Sequence, residues 1–596
     1  MCFTFLKFLK GSRAAAFLRY FASMVEKRWT YQIPPETQEE KERVEELAQA
    51  INLNPFLTTL LWQRNIRSFD DAKAFFRPQL NQLHDPFLMK DMDRAVERLS
   101  HALKAGEKIL VYGDYDVDGT TSVALFYGFL RTFYPSLEFY IPDRYKEGYG
   151  VQQPGIDYAL ANGFTLIVTL DCGIKSVDLI NSAREQGLDF IICDHHRPGD
   201  QLPDAVAVLD PKREDCQYPF KELTGCGVGF KLLQAYCQYE EISQEPLLEY
   251  LDLVAVSIAA DIVPIVGENR ILAYYGLKQL NAAPRMGLKT LIRAAGMKPP
   301  LDITNVVFGL SPRINAAGRI KHAYDAVNLL LCEDEAEAED FARIINVHNT
   351  DRREFDTRIT QEALEMIEGN DWLRSAKTTV LFKNDWNKGV VGIVASRCIE
   401  RYYRPTIILT ESNEKAAGSA RSVPGFDVYE AIEACSDLLE QFGGHMYAAG
   451  LTLKVENVPL FQQRFEEVVA RKIRSEDLTP QIDIDMKLPL TTISDKFFSI
   501  LSQMGPFGPQ NMTPVFVAEQ VYVYGTPRIL KEKHLKMDVR QQGGGVFPCI
   551  GFGLAHFYEP LLEGKPFDLC YQIEMNEFQG RRNLQLHIKD IKFRTA

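Results

Sequence analysis

Several things are missing from this chain of 596 residues, and the absences narrow what it can be. It has no excess of basic charge: 67 Lys and Arg stand against 80 Asp and Glu, a formal net charge of −13. Taken alone, that argues against a nucleic-acid partner, although a large acidic enzyme can still line one groove with basic residues. It has no CxxC pair. Its 11 cysteines are scattered, and several, including Cys172 and Cys193, fall inside or beside apolar segments. That excludes a disulfide framework and a thiolate zinc site in favour of reduced, buried thiols in a cytoplasmic protein. No uncharged run reaches the length of a membrane span. There is no internal repeat of fixed period and no sustained low-complexity tract.

What is present reads as a globular protein, 46% apolar and 25% charged. Its length exceeds what one hydrophobic core supports, so three or four domains are expected. Residues 1–23 carry four basic residues (Lys7, Lys10, Arg13, Arg19) and no acid. Their broken apolar patches fit targeting patterns poorly, and translation is expected to begin at Met24. Residues 24–79 form an N-terminal helical segment, with "ETQEEKERVEELAQAI" at helical spacing. From residue 80 to 332 short apolar runs ("KILVYG", "LEFYIP", "FTLIVTLD", "LDFIICD", "AVAVLDP") mostly alternate with helical stretches. This predicts an α/β domain with a mostly parallel sheet covered on both faces. Residues 333–368, without Gly or Pro, predict a long linking helix. A smaller α/β domain follows over 369–473, and β-prone runs over 474–596 predict a small antiparallel barrel or sandwich.

The chemistry gathers where apolar runs end. "ILVYGDYDVDGTTS" places Asp114, Asp116 and Asp118 at alternate positions before Gly119. In a nucleotide-binding α/β turn, glycines usually receive phosphate there, whereas three carboxylates repel it unless a cation intervenes. A D-x-D-x-D-G run also opens an EF-hand loop, but position twelve, which needs Glu, is Leu125, and a strand rather than a helix precedes it. "LIVTLDCGI" delivers Asp171, "FIICDHHRPG" delivers Asp194, His195 and His196, and Asp261 sits within "LVAVSIAADIVPIV", where a charge is costly without a partner. Carboxylates with imidazole suit Mn²⁺ or Mg²⁺, and the number of ligands suffices for two ions about 3.5–4 Å apart, a device for phosphoester hydrolysis. Further along, Arg313, Arg319, Ser419, Arg421 and His445 are phosphate-pairing groups, and Gly443 and Gly444 permit close approach to backbone.

The segments "GDYDVDG", "LDCG", "CDHH" and "AAD", in this order, resemble the DHH phosphoesterase superfamily. The resemblance implies Asp116, Asp118, Asp171, His195 and Asp261 as ligands of two divalent ions, with Asp171 between them. It also implies His196 as a substrate-phosphate contact and Asp194 as its support. Many members carry a histidine where this chain has Tyr112, which leaves Asp114 as a further candidate ligand. "GLSPRINAAGRI", "GSARSVPGFDV" and "FGGHMYAAG" resemble the companion DHHA1 lobe and add Asn315 to the phosphate-binding set. "MGPFGPQNMTPVF" and "NEFQGRRNLQLHIKDIKF" are similar to the terminal OB-fold of the RecJ family of single-strand-specific DNA exonucleases.

That family implies 5′→3′ hydrolysis of single-stranded DNA to 5′-mononucleotides by a two-metal mechanism, in DNA repair and recombination. It also implies a RecQ-type helicase and a single-strand binding protein as partners. Lys531, Lys533, Lys536, Arg581 and Arg582 are expected to supply a basic groove on the barrel. A monomer is the expected state. Two rivals are a small-molecule phosphoesterase of the same superfamily, which needs no barrel, and a DNA-binding scaffold without activity, which would not keep the metal residues.

Overall fold

In the computed structural model, which describes residues 26–594, the apolar runs become strands because they are short and mostly rich in β-branched residues. They are β1 (Ile109–Gly113), β2 (Leu137–Tyr140), β3 (Leu166–Leu170), β4 (Asp189–Cys193) and β5 (Ala207–Leu209). All pair in parallel, in the order β2-β1-β3-β4-β5. Successive residues face opposite sides: Ile109 and Val111 join one core, Leu110 and Tyr112 another. Burial on both faces is why these strands read as continuous apolar runs rather than alternating ones. Residues 1–23, expected to precede the true start, lie outside the described residues.

Four helices frame the carboxyl edge of this sheet. Helix α1 (Val117–Leu130) is buried almost all round and starts on Asp116, whose side chain accepts the Gly119 N–H. Helix α2 (Gly225–Tyr239) is capped by Thr224, and α3 (Leu251–Ala260) ends on Asp261. Helix α4 (Gly267–Ala282) packs on α3 with Gly276 at the crossing, where an added β-carbon would lie 2.1 Å from the Leu251 carbonyl oxygen. Only glycine allows that approach.

The 34-residue helix α5 (Glu335–Glu368) spans about 50 Å at 1.5 Å per residue. Ala338, Ala342 and Ile345 in its first half belong to the core of the first lobe; Ile359, Ala363 and Ile367 belong to that of the second. One rigid element therefore sets the separation of the two lobes. The second lobe holds β6 (Thr379–Phe382), β7 (Thr406–Ser412), β8 (Lys415–Arg421), β9 (Gln441–His445) and β10 (Ala448–Lys454), ordered β9-β10-β8-β7-β6. Five strands of the tail close into a barrel, with Phe516–Leu530 pairing both His534–Arg540 and Phe567–Phe578. The fold is thus the expected one: a parallel-sheet lobe, a long helix, a smaller α/β lobe and a barrel.

The N-terminal segment departs from a purely helical reading. Arg28–Tyr31 is a strand pairing in parallel with Gln481–Ile484. Leu57, Leu60, Leu61, Ala72 and Phe75 share one core with the barrel residues Phe516, Leu535 and Phe567. Helical spacing announces an apolar face but not what covers it. The described cysteines are free, and all but Cys332 are buried. No helix among the described residues is long and apolar enough to cross a membrane.

Gly276→Ala is expected to force α3 and α4 apart at a cost of about 1–3 kcal/mol. The check is the urea midpoint followed by circular dichroism; an unchanged midpoint would refute the tight crossing.

Candidate metal centre

Strands β1, β3, β4 and β5 are neighbours, and each hands over to an aspartate: Asp114, Asp171, Asp194 and Asp210. The edge of the sheet thereby becomes a row of carboxylates. Helix α1 adds Asp116 and Asp118, and the end of α3 adds Asp261. Gly119 lets the turn fold back, since a β-carbon there would lie 2.3 Å from the Asp114 carbonyl oxygen. Asp171 sits at φ +60°, a left-handed conformation that Asp tolerates better than most residues. Gly225 makes room for it: a β-carbon at that position would lie 2.5 Å from the Asp171 β-carbon.

His195 stands at the centre. Its Nε2 lies 3.2 Å from Asp171, 3.6 Å from Asp118 and 3.7 Å from Asp261. Ligand atoms of three sets lie within 4.8 Å of one another: Asp114, Asp116 and Asp171; Asp118, His195 and Asp261; Asp171, His195 and His196. The geometry brings the six expected catalytic positions Asp116, Asp118, Asp171, His195, His196 and Asp261 together and adds Asp114, the further candidate ligand, with Asp171 and His195 each common to two sets. Asp118 is also tied to the positive end of α2, accepting the Gly225 N–H at 2.7 Å, the Cys226 N–H at 2.9 Å and the Ser257 hydroxyl at 2.7 Å. Asp261 is less buried than its apolar context suggests, with 31% of its side chain exposed.

Burial, then mutual repulsion, pushes the Asp114, Asp171 and Asp261 carboxyls well above the usual range, and raises Asp116 for the same reasons. Burial lowers His195 to about 4, leaving it neutral and able to offer a lone pair. Burial alone would raise Asp194, but His196 outweighs it and holds the carboxyl below its ordinary value. In return Asp194 overcomes the burial of His196 and pushes that imidazole up to about 9. Asp194 accepts the His195 and His196 N–H groups at 2.8 and 3.1 Å, that of Ile174 at 3.0 Å, and His196 Nδ1 at 2.7 Å.

Buried polar atoms without a hydrogen-bond partner include Asp114 Oδ1, Asp171 Oδ1 and His195 Nδ1. Unpaired carboxylate oxygens around a neutral imidazole are the donor set of a hard divalent cation. The residues fit such a group. Tyr112 does not: its hydroxyl donates to the Gly150 carbonyl at 3.1 Å and its ring stacks on Tyr140, so only Asp114 reaches the site from β1.

The phosphate-pairing residues divide. Arg421 Nη1 donates to the Ser419 hydroxyl and the Ala420 carbonyl, each at 2.7 Å. Arg319 donates to the Gly389 carbonyl at 2.6 Å, bridging the lobes. Burial, followed by Arg144, lowers Arg319 to about 10, and Arg352 and Arg421 act in the same direction. Arg313 bonds the Gly309 carbonyl and Asn346, and Asn315 is half-buried on the same helix. Among the described residues Arg313, Arg319, Arg352 and Arg421 form no ion pair with a carboxylate. His445 is lowered by partial burial, then by the cations Lys175 and His196, which puts it in the field of the basic side chains beside the carboxylate edge. Gly443 is open, but Gly444, at φ +147°, is required by its own hairpin: a β-carbon would lie 2.4 Å from the Ala448 carbonyl oxygen.

Sequence reasoning missed several residues. The Tyr149 hydroxyl lies 3.1 Å from His196 Nε2 and donates to the Asp171 carbonyl at 3.3 Å. The glycines on either side of it were the available signal. Asp210, raised to about 7 by burial, follows an apolar run just as Asp171 does. On the barrel, Lys531 and Lys533 lie on one hairpin turn and Arg581 and Arg582 at another, while Arg540 stacks over Tyr524 at 5.6 Å on the outer face.

Comparisons with known proteins agree with this geometry. Family models match three stretches: "DHH family, N-terminal domain" over residues 108–258, "DHHA1 domain" over 375–471 and "RecJ OB domain" over 484–590. The single-stranded-DNA-specific exonuclease RecJ of Bacillus subtilis (strain 168) is 38% identical over 567 residues, covering 94% of this chain and 70% of that one. The crystal structure of RecJ in complex with Mn²⁺ from Thermus thermophilus superposes with a TM-score of 0.81 at 28% identity, covering 96% of this chain and 80% of that one. Its Mg²⁺ complex gives 0.75 at 26%, covering 96% and 79%.

The raised acids and His196 bind more protons folded than unfolded, so without metal they stabilise the fold at low pH and that contribution drains as pH rises. His195, lowered, works in the opposite sense only between about 4 and its ordinary 6.5. Metal-free protein is therefore expected to lose thermal stability from pH 6.5 to about 9, the window of His196, and Mn²⁺ should raise the melting temperature more at pH 8 than at pH 6. A flat metal-free profile in differential scanning fluorimetry would contradict the assignment.

Proposed function

The chain belongs to the RecJ family of single-stranded-DNA-specific exonucleases, and we propose that it removes 5′-mononucleotides one at a time from the 5′ end of single-stranded DNA. One observation carries the reading: a row of carboxylates with unpartnered buried oxygens and a group of arginines without carboxylate partners lie in the same molecule, Arg313 and Arg319 on the first lobe, Arg319 reaching the Gly389 carbonyl, and Arg421 on the second. A terminal nucleotide supplies the phosphates that such arginines bind, and its scissile phosphodiester reaches the carboxylates.

The cofactors are two divalent cations, Mn²⁺ or Mg²⁺. Asp116, Asp118, Asp171, His195 and Asp261, with Asp114 in the place that Tyr112 vacates, would hold them. When bound, the cations neutralise the carboxylates, polarise the phosphodiester and activate water at neutral pH. His196, kept protonated by Asp194, donates to a non-bridging oxygen of the scissile phosphate and offsets its charge. Arg319, Arg421 and Ser419, with Arg313, Asn315, Gly443 and His445 around them, hold the terminal phosphate and so set polarity and step length. Tyr524 and Arg540 on the barrel combine the aromatic and cationic surfaces on which single strands stack. Action in the cytoplasm as a monomer, beside a RecQ-type helicase and a single-strand binding protein, belongs to the same proposal and rests on the family resemblance.

Single strands blocked at one end or the other decide the polarity: a 5′ block should stop Mn²⁺-dependent release of mononucleotides and a 3′ block should not. Preference for a dinucleotide over a long strand would favour the small-molecule phosphoesterase instead, against which the barrel argues. Asp171→Ala is expected to abolish hydrolysis while leaving DNA binding in a gel-shift assay intact; retained cleavage would refute the metal assignment. Arg421→Ala removes charge-assisted bonds of about 1.5–3 kcal/mol. It should raise KM for 5′-phosphorylated strands by about 10-fold or more, and by less for 5′-hydroxyl strands.

A further inference from the structure

The barrel touches the catalytic lobe beside one of the metal-site carboxylates. Asp261 closes α3, its N–H donating to the Ser257 carbonyl at 2.9 Å. The next residue, Ile262, has φ +58° and is 63% exposed. A β-branched residue in the left-handed region is strained, and such strain persists only where neighbouring structure imposes it. Its exposed side chain gives no reason for it. The backbone does: three residues on, the Ile265 N–H donates to the Pro509 carbonyl of the barrel domain at 2.8 Å, and Asn269 holds the Pro264 carbonyl at 3.1 Å. The strap 262–266 is fixed at both ends.

The barrel side of this contact is itself rigid. Gly508 and Asn511 exchange backbone hydrogen bonds at 3.0 and 2.8 Å, and the Asn511 side chain donates to the Met504 and Pro506 carbonyls, each at 2.9 Å. Arg64 of the N-terminal helices donates to Asn511 and to the Met512 carbonyl. Arg270 of α4, stacked on Phe75 at 3.7 Å, donates to the carbonyls of Phe75, Met504 and Gly505. Gly508 packs directly on the strap: a β-carbon there would lie 2.5 Å from Ile265 Cγ1.

We propose that the barrel is a positioning element of the metal centre, its loop 504–512 setting Asp261 through the strap 262–266, with Gly508 and Ile265 as positioning residues. The inference rests on the reading of Asp261 as a metal ligand. It gives the barrel a second role, distinct from holding DNA: the same contact that seats the DNA-holding domain completes the cation site.

Metal-free full-length protein is titrated with Mn²⁺, free ion being read by electron paramagnetic resonance, alongside melting temperature and steady-state kinetics. Gly508→Ala should weaken Mn²⁺ binding at one site by about 10-fold, the size of effect that outer-sphere partners have on metal affinity. It should lower kcat at limiting Mn²⁺, leave KM for long single strands unchanged, and recover with excess Mn²⁺. Adding Ile265→Ala makes room for the new methyl group and should restore affinity even though the pair melts lower than the parent. Ile262→Gly, at an exposed position whose φ suits glycine, keeps the fold and should also weaken binding by freeing the strap. Asp261→Asn separates the two readings. If it leaves Mn²⁺ affinity unchanged, Asp261 is not a ligand and both readings fall; if it weakens binding while Ile262→Gly and a folded Gly508→Ala do not, the positioning role alone is overturned.

Discussion

The fold is organised around a repulsion that it cannot relieve by itself. Asp114, Asp116 and Asp171 present ligand atoms within 4.8 Å of one another, at which separation each ionised pair costs about 3–4 kcal/mol even at an effective dielectric of 20. Three such pairs approach the whole stability of a typical domain. The carboxylates must therefore either take up protons or share cations. Everything that brings them together, from the tight turn at Gly119 to the left-handed Asp171 and the bare Gly225, works against their charge and is explicable only by what neutralises it.

The surroundings are graded to match. Two of the aspartates are supplied with donors: the start of α2 and Ser257 for Asp118, four N–H groups for Asp194. Where a cation must be met, oxygens are left without partners, as on Asp114 and Asp171. The two histidines diverge for the same reason. His195, buried against carboxylates that are themselves raised, loses its proton; His196, bonded to an Asp194 held ionised, keeps its own. Neighbours in sequence thus acquire different protonation states, one neutral and one cationic. For the arginines the logic inverts: Arg319 and Arg421 bond carbonyls and a hydroxyl, which leaves their charge uncompensated.

Much of this was legible because strand ends leave a plain signature: an apolar run, then Asp. Asp114, Asp171 and Asp194 could be read that way, and Asp210, at the end of the run "AVAVLDP", follows the same rule although the aspartate itself was not singled out. The long helix was equally visible, since a stretch without Gly or Pro at helical spacing has few alternatives. What could not be read were relations between distant segments. Nothing in "RWTY" says that it pairs with "QIDI" some 450 residues later, and the apolar faces of residues 55–76 do not name the barrel as their cover. Lys531 and Lys533 lie on one turn and Lys536 on the strand that follows, whereas the aromatic–basic pair of Tyr524 and Arg540 is assembled across strands.

Those unreadable relations also determine how the lobes cooperate. The N-terminal helices share the barrel core, and Arg64 and Arg270 hold the loop 504–512 from the two sides. Arg270 does so without a carboxylate among its hydrogen-bond partners, its proton loosened by burial to about 10. A buried guanidinium satisfied by carbonyls is costly unless its geometry is filled, so the junction tolerates little displacement. A flexible tether would suffice if the barrel served only to hold DNA. The rigidity of the contact, its position three residues from a strained backbone and four from Asp261, makes the barrel part of the catalytic architecture rather than an appendage to it.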